Sequence, residues 1–220
     1  MFDPSDDFAA VTDGLAPVTV TRPGTSARTE VAHALRQPVR TRESQQSAQS
    51  AQRPPAADAV WHLPAAELAQ DPRPGDVILD ADGARWTILE VRQTMLGARW
   101  RCVARNLALH HGLDAYVDVE KVAYAKGSGG ADEPTWHVWK TGLRAKIRAQ
   151  SAAVGQEQEQ EQERAAARFT VFLAEDLALD HMHRIRAADG TIYAIVGWHK
   201  ADRIDALMEI DTVRREGAGD

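Results

Sequence analysis

Ile78-Leu79-Asp80-Ala81-Asp82-Gly83, followed by Trp86-Thr87-Ile88, is the stretch that decides the fold. An apolar run enters an Asp-Gly pair and an alternating apolar run leaves it, which is the local signature of a β-hairpin. Asp82-Gly83 is read as a type I′ turn. That turn needs positive φ at both central residues, and Asp and Gly adopt it at least cost. The pattern recurs at Ile185-Arg186-Ala187-Ala188-Asp189-Gly190, followed by Tyr193-Ala194-Ile195, so Asp189-Gly190 should close a second hairpin.

Working outward, the two halves repeat further anchors in the same order. Leu35-Arg36 and Val39-Arg40 precede one Ser/Gln/Ala stretch, and Leu143-Arg144 and Ile147-Arg148 precede another. Val60-Trp61-His62-Leu63 with Glu67-Leu68 resembles Phe169-Thr170-Val171-Phe172 with Asp176-Leu177. Positions 35 and 143 lie 108 residues apart, and positions 83 and 190 lie 107 apart, which indicates a tandem duplication.

Further strands are expected at Val18-Thr19-Val20-Thr21, Arg99–Arg105, Val117-Asp118-Val119 and residues 207–213. In Arg99–Arg105 the residues Trp100, Cys102 and Ala104 should face the core, with Arg99, Arg101 and Arg105 facing solvent. The run Trp136-His137-Val138-Trp139 alternates imperfectly, and both faces of Ile192-Tyr193-Ala194-Ile195-Val196 are apolar. The expected fold class is mainly β: two tandem small β-barrel-like modules with long polar loops and little helix. Residues 1–107 are assigned to the first module, 108–113 to a joint and 114–220 to the second.

The chain has 220 residues and a net charge of −6, with basic residues dispersed rather than massed for gripping phosphates. Its one cysteine, Cys102, allows no intrachain disulfide and reads as a small core residue. The acidic start Met1-Phe2-Asp3-Pro4 is unlike a secretory signal, and no run reaches the ~20 apolar residues of a membrane span, so a soluble protein made in a cytoplasm is expected.

Two low-complexity segments fall between corresponding strands. Residues 41–59 include Ser44, Gln45, Gln46 and Gln49, and residues 150–167 include Gln156, Glu157, Gln158, Glu159, Gln160, Glu161, Gln162 and Glu163. Neither holds enough apolar side chains to offset the entropy of ordering. Their matching positions point to arms that order in an assembly or project into a channel.

A constellation for chemistry does not emerge. His181 and His183 would share a strand face beside Asp180, but no Cys or His cluster completes a metal set. They read as surface or interface residues, and His110-His111 as solvated residues of the joint. Gly127-Ser128-Gly129-Gly130 lacks the Lys-Ser/Thr of a phosphate loop. No enzymatic activity, metal or cofactor is expected. Arg99, Arg101 and Arg105 with Trp86 offer the only local suggestion of a nucleic-acid surface.

Trp139, Leu143-Arg144-Ala145-Lys146-Ile147, Phe169-Thr170-Val171-Phe172, Arg184-Ile185, Asp189-Gly190, Tyr193-Ala194-Ile195 and the final strand resemble the phage head–tail joining (head-closure) family. The resemblance covers about half the chain directly and the remainder through the repeat. It implies a structural virion protein of a tailed bacteriophage: a head-tail connector forming a homo-oligomeric ring between the portal or adaptor and the tail proteins. Ser44, Gln45, Gln46, Gln49 and the residues 156–163 would then be channel or interface arms near packaged DNA. The place of action would be the head–tail interface of the virion, after synthesis in the bacterial host cytoplasm and with no membrane partner. A tail-completion or tail-terminator protein, or a nucleic-acid-binding β-barrel adaptor, are the alternatives. The tandem copy departs from the single module of that family. Ring contacts are heterologous, so each subunit should carry two different apolar patches.

Overall fold

A computed structural model of the protein describes residues 12–25, 27–39, 57–126, 132–150 and 168–215. The chain divides into two compact units at His111/Gly112, with the segment Arg203–Asp205 grouping with the first. The first unit holds β1 (Leu15–Thr21), β2 (Arg28–Pro38), β3 (Asp58–Pro64), β4 (Val77–Leu79), β5 (Arg85–Thr94) and β6 (Arg99–Arg105), then α1 (Leu107–His111). The second holds β7 (Ala115–Lys126), β8 (Asp132–Ala149), β9 (Arg168–Leu173), β10 (His183–Ala187), β11 (Ile192–His199) and β12 (Met208–Arg215). His110 and His111 therefore end a short helix rather than lying in a loop.

Each unit is a closed antiparallel barrel. The strand order β1-β2-β3-β6-β5-β4 is repeated as β7-β8-β9-β12-β11-β10. Closure removes the unpaired edges that a small open sheet would expose. Alternate residues then point inward: Val18, Val20, Ile78, Trp86, Ile88, Cys102 and Ala104 in the first core, and Val117, Val119, Ile185, Tyr193, Ile195 and Ile210 in or against the second. Cys102 is fully buried, and burial pushes its thiol up to about 12.

The ladders equate the two barrels residue by residue. Val20 pairs with Ile78 and Ile78 with Trp86, just as Val119 pairs with Ile185 and Ile185 with Tyr193. Ile88 lies opposite Ala104, and Ile195 opposite Thr212, each followed at once by a bulge. Ala59 opposes Ala104, and Phe169 opposes Thr212. This register corrects two of the sequence pairings. Ala59, not Val60, matches Phe169, and a one-residue slip would turn every side chain of that strand to the other face. Likewise Ala34 opposes Ala16 as Ala145 opposes Ala115, so Leu35 matches Lys146 rather than Leu143.

The reason is a difference in length. Thirty residues separate Ala115 from Ala145, where eighteen separate Ala16 from Ala34. The β7–β8 hairpin is thus twelve residues longer, which a near-constant sequence offset conceals.

Both Asp-Gly hairpins form, with a different turn from type I′. Gly83 N donates to Asp80 O at 3.0 Å and Asp80 N to Ala84 O at 3.0 Å; Gly190 N donates to Ala187 O at 2.9 Å and Ala187 N to Thr191 O at 2.9 Å. Gly83 and Gly190 have φ of 79° and 86°, while neither Asp82 nor Asp189 is among the positive-φ residues. This is a three-residue loop, a type I turn followed by a left-handed glycine. Carboxylates serve as acceptors in both turns: Asp80, ahead of the Asp-Gly pair, takes the Asp82 and Ala84 amides, and Asp189 takes that of Thr191. Asp80 also accepts the Trp86 indole N–H at 2.9 Å, tying the turn to the core.

Arg99 departs from its expected solvent position and is 1% exposed. The 3-10 turn Ala65–Glu67 lies against this outer face, anchored by Ala65 N donating to Ala98 O. Burial lowers the Arg99 guanidinium pKa, and the nearby Glu67 charge opposes that.

Candidate functional site

The low-complexity arms, with Ser44, Gln45, Gln46, Gln49 and residues 156–163, lie outside the described residues. Their flanking strands are β2 and β3 in one barrel and β8 and β9 in the other, which are equivalent places. What distinguishes the second barrel within the described residues is the long β7–β8 hairpin and the residues that hold its base.

β10 follows β7 only as far as Lys121, which opposes His183; Val122 N then donates to Met182 O. Beyond this point β7 and β8 pair only with each other, through Val122↔Trp136, Tyr124↔Pro134 and Lys126↔Asp132. The hairpin therefore continues past the barrel wall as a two-stranded ribbon. Directly opposed residues share a face. One face carries Val122, Tyr124, Pro134, Trp136 and Val138, and the other Lys121, Ala123, Thr135 and His137. Tyr124 and Val138 are 59% and 56% exposed, so the apolar face is open for much of its length.

The base of the ribbon is rigidly built. Glu120 is buried and accepts Arg184 Nε at 2.6 Å and Arg186 Nη1 at 3.4 Å. The Arg184 guanidinium lies 4.1 Å from the centroid of Trp136, so the ion pair is covered by the first ring of the apolar face. The equivalent ladder pair in the first barrel is Thr21↔Val77, with no charge at all.

Two bulges shape β8 here. One falls at Thr141-Gly142, where Gly142 has φ 66°, and the Asp118 carboxylate accepts both Gly142 N and Thr141 Oγ1 at 2.8 Å. These bonds, the Gly142 amide first, hold Asp118 below the usual carboxylate range. The other bulge leaves Trp139 without a partner in the ladder and turns it over His183, with ring centroids 4.8 Å apart. The first barrel also has a β2 bulge, at Ala32-His33, and Glu67 accepts both of its amides. Burial pushes the Glu67 carboxyl up, but the His33 ring, 2.6 Å away, and the two amides outweigh it and bring it below its ordinary value.

His183 begins β10 under the Trp139 ring. It is buried, contrary to the surface position expected for it, while His181 stays exposed in the preceding turn. His183 Nδ1 lies 2.7 Å from Asp180 Oδ1 and 3.2 Å from Asp180 N. One nitrogen cannot both donate and accept; the shorter contact to a carboxylate makes Nδ1–H the donor. Nε2 is buried with no hydrogen-bond partner among the described residues. The Met182 amide, then the His183 and Lys121 charges, hold Asp180 below the usual range against the cost of burial. In the first barrel the same backbone turn places Asp76 where His183 stands: Asp76 N donates to Arg73 O, as His183 N donates to Asp180 O. There Arg22 closes the pair, with Nε and Nη2 each 3.0 Å from an Asp76 oxygen.

A second exposed apolar feature lies on the first barrel. The β5–β6 loop holds Met95 and Leu96 at φ 52° and 54°, the only non-glycine residues with positive φ among those described. This conformation costs roughly 1–2 kcal/mol per residue, and it leaves Leu96 fully exposed at 103%. No sequence signal beyond the following Gly97 marked it. Trp86 and Arg99, both suggested for nucleic-acid contact, are buried, and Arg105 is paired with Asp58. Among the described residues, no group of three or more His, Cys, Asp or Glu is placed to hold a metal ion, and no helix is long and apolar enough to cross a membrane. Neither a family model nor a curated protein sequence matches the chain.

Proposed function

We propose that this chain is a structural subunit of a tailed-phage virion, a ring-forming connector joining the portal or adaptor to the tail. The observation that carries the reading is the pair of unlike apolar patches: the open face of the β7–β8 ribbon and the Met95–Gly97 loop. A ring closes through heterologous contacts, in which one patch of a subunit meets a different patch on the next. The ribbon suits this role because its base is fixed by Glu120, Arg184 and Trp136, so little order is lost on docking. The resembling Arg184-Ile185, Asp189-Gly190 and Tyr193-Ala194-Ile195 lie in β10, its turn and β11. These residues serve the barrel wall, which is the work expected of a virion structural protein.

Negative-stain electron microscopy of the purified chain, with mass photometry across a concentration series, tests this. Closed rings of uniform subunit number are expected. A chain that stays monomeric at every concentration, or that forms only open fibres, would contradict the connector role.

A further inference from the structure

We propose that the outer face of β8 in the second barrel is a binding site for the phosphate backbone of a nucleic-acid strand. Ala145 points into the core and Ile147 packs against it, so Arg144, Lys146 and Arg148 share the outer face. Alternate residues of a strand lie about 6.8 Å apart, a spacing of the same order as that of phosphates along an extended strand. Arg168 adds a fourth cation at the start of β9, whose partner strand is β8.

Aromatic rings support this line of charge. The Arg144 guanidinium lies 4.8 Å from the centroid of Tyr116, and that of Arg148 5.6 Å from Phe172. A ring beneath the guanidinium orients its plane and leaves the donor edge free to fork a phosphate. Among the described residues neither Arg144, Arg148 nor Arg168 forms an ion pair, whereas Arg22, Arg105, Arg184 and Arg203 each hold a carboxylate. Tyr116 is also exposed and offers a face on which a base can stack. Glu209 and Asp211 on β12 lie beyond β9, two strands from β8, and bound the site on that side. The positive charge is thus gathered on β8 and the start of β9 in a chain whose net charge is −6.

The ladder shows the feature to be particular to this barrel. His33, Leu35 and Gln37 occupy the positions of Arg144, Lys146 and Arg148 in the first barrel. The site stands whether or not the chain forms rings, so its test is separate from that of the connector reading.

Fluorescence anisotropy of a labelled single-stranded oligothymidylate titrated with the full chain tests it. Lys146 is already engaged within the protein, so phosphate contacts from Arg144, Arg148 and Arg168 predict that log affinity falls with log salt at a slope of about −2, or roughly 20-fold between about 50 and about 200 mM. The variant Arg144→Gln/Arg148→Gln/Arg168→Gln should bind at least ~10-fold more weakly with a slope near zero, with an unchanged tryptophan-fluorescence melting curve. The control Arg73→Gln/Arg92→Gln/Lys121→Gln removes as much charge elsewhere and should bind like the parent chain. No binding at low salt, or equal losses in both variants, would overturn the site. So would a polyglutamate peptide that competes as well as the oligonucleotide, since the face would then be one for acidic protein segments.

Discussion

The two barrels share a strand order, a ladder register and a β5/β6-type bulge, yet they solve three local problems with different chemistry. The residue that ends the turn is Asp76, neutralised by Arg22 just after β1, in the first, and His183, bonded to Asp180 of its own turn, in the second. The bulge of the second strand is held in one by Glu67 from a 3-10 turn, which accepts both amides, and in the other by Asp118 from the neighbouring strand, which accepts one amide and a threonine hydroxyl. The pair Thr21↔Val77 becomes Glu120↔Arg184, and where this ion pair stands the hairpin runs on into the ribbon. Backbone hydrogen-bonding demands are set by topology and recur in both barrels. Which side chain answers each demand is free, and that freedom let one barrel acquire a projecting arm.

The comparison breaks most visibly at the shared core. Ile78→Ala and Ile185→Ala, at equivalent fully buried positions, should each cost about 2–5 kcal/mol in urea denaturation. A several-fold disparity would mean the barrels are packed on different principles. Next, Glu120→Ala removes the acceptor from two arginines and should cost about 2 kcal/mol, while Thr21→Ala at the equivalent position should cost well under half of that. Gly83→Ala and Gly190→Ala, both at positive φ, should each lose about 1 kcal/mol; unequal losses would show that the two turns are not equivalent.

A pH series sharpens the contrast in bulge capping. Glu67 and Asp118 are held below their unfolded values, so their contribution is full above about pH 4–5 and is lost as pH falls through the lower folded values. The urea midpoint should therefore fall on acidification, and Glu67→Gln and Asp118→Asn should each flatten that fall. A midpoint that rises as pH drops through this window would refute the assignment. The smallest effect on stability is expected from the ribbon. Replacing residues 123–135 with a two-residue Asn-Gly turn should leave the melting curve almost unchanged, because the described residues among them pair only with each other.

Much of this fold was legible in local pattern. The Asp-Gly turns with their flanking β4, β5, β10 and β11 follow from short-range chemistry, and the core side of β6 follows from alternation at Cys102 and Ala104. Three features needed tertiary knowledge. β8 was obscured because the Trp139 bulge breaks its apolar alternation, and the turn type because a carboxylate acceptor competes with positive φ as the role of Asp in a turn. Arg99 is buried with the Glu67 charge nearby and His183 is buried against Trp139, and neither placement has a sequence periodicity. The basic face of β8 was written plainly as Arg144, Lys146 and Arg148, but its common direction follows only from the inward placement of Ala145.

We propose that the ribbon is the element through which the doubled barrel assembles. Mass photometry of the full chain beside the form carrying the Asn-Gly replacement of residues 123–135 addresses that directly. The parent should form rings while the shortened chain remains a folded monomer with the same melting midpoint. A shortened chain that assembles as readily as the parent would contradict the claim.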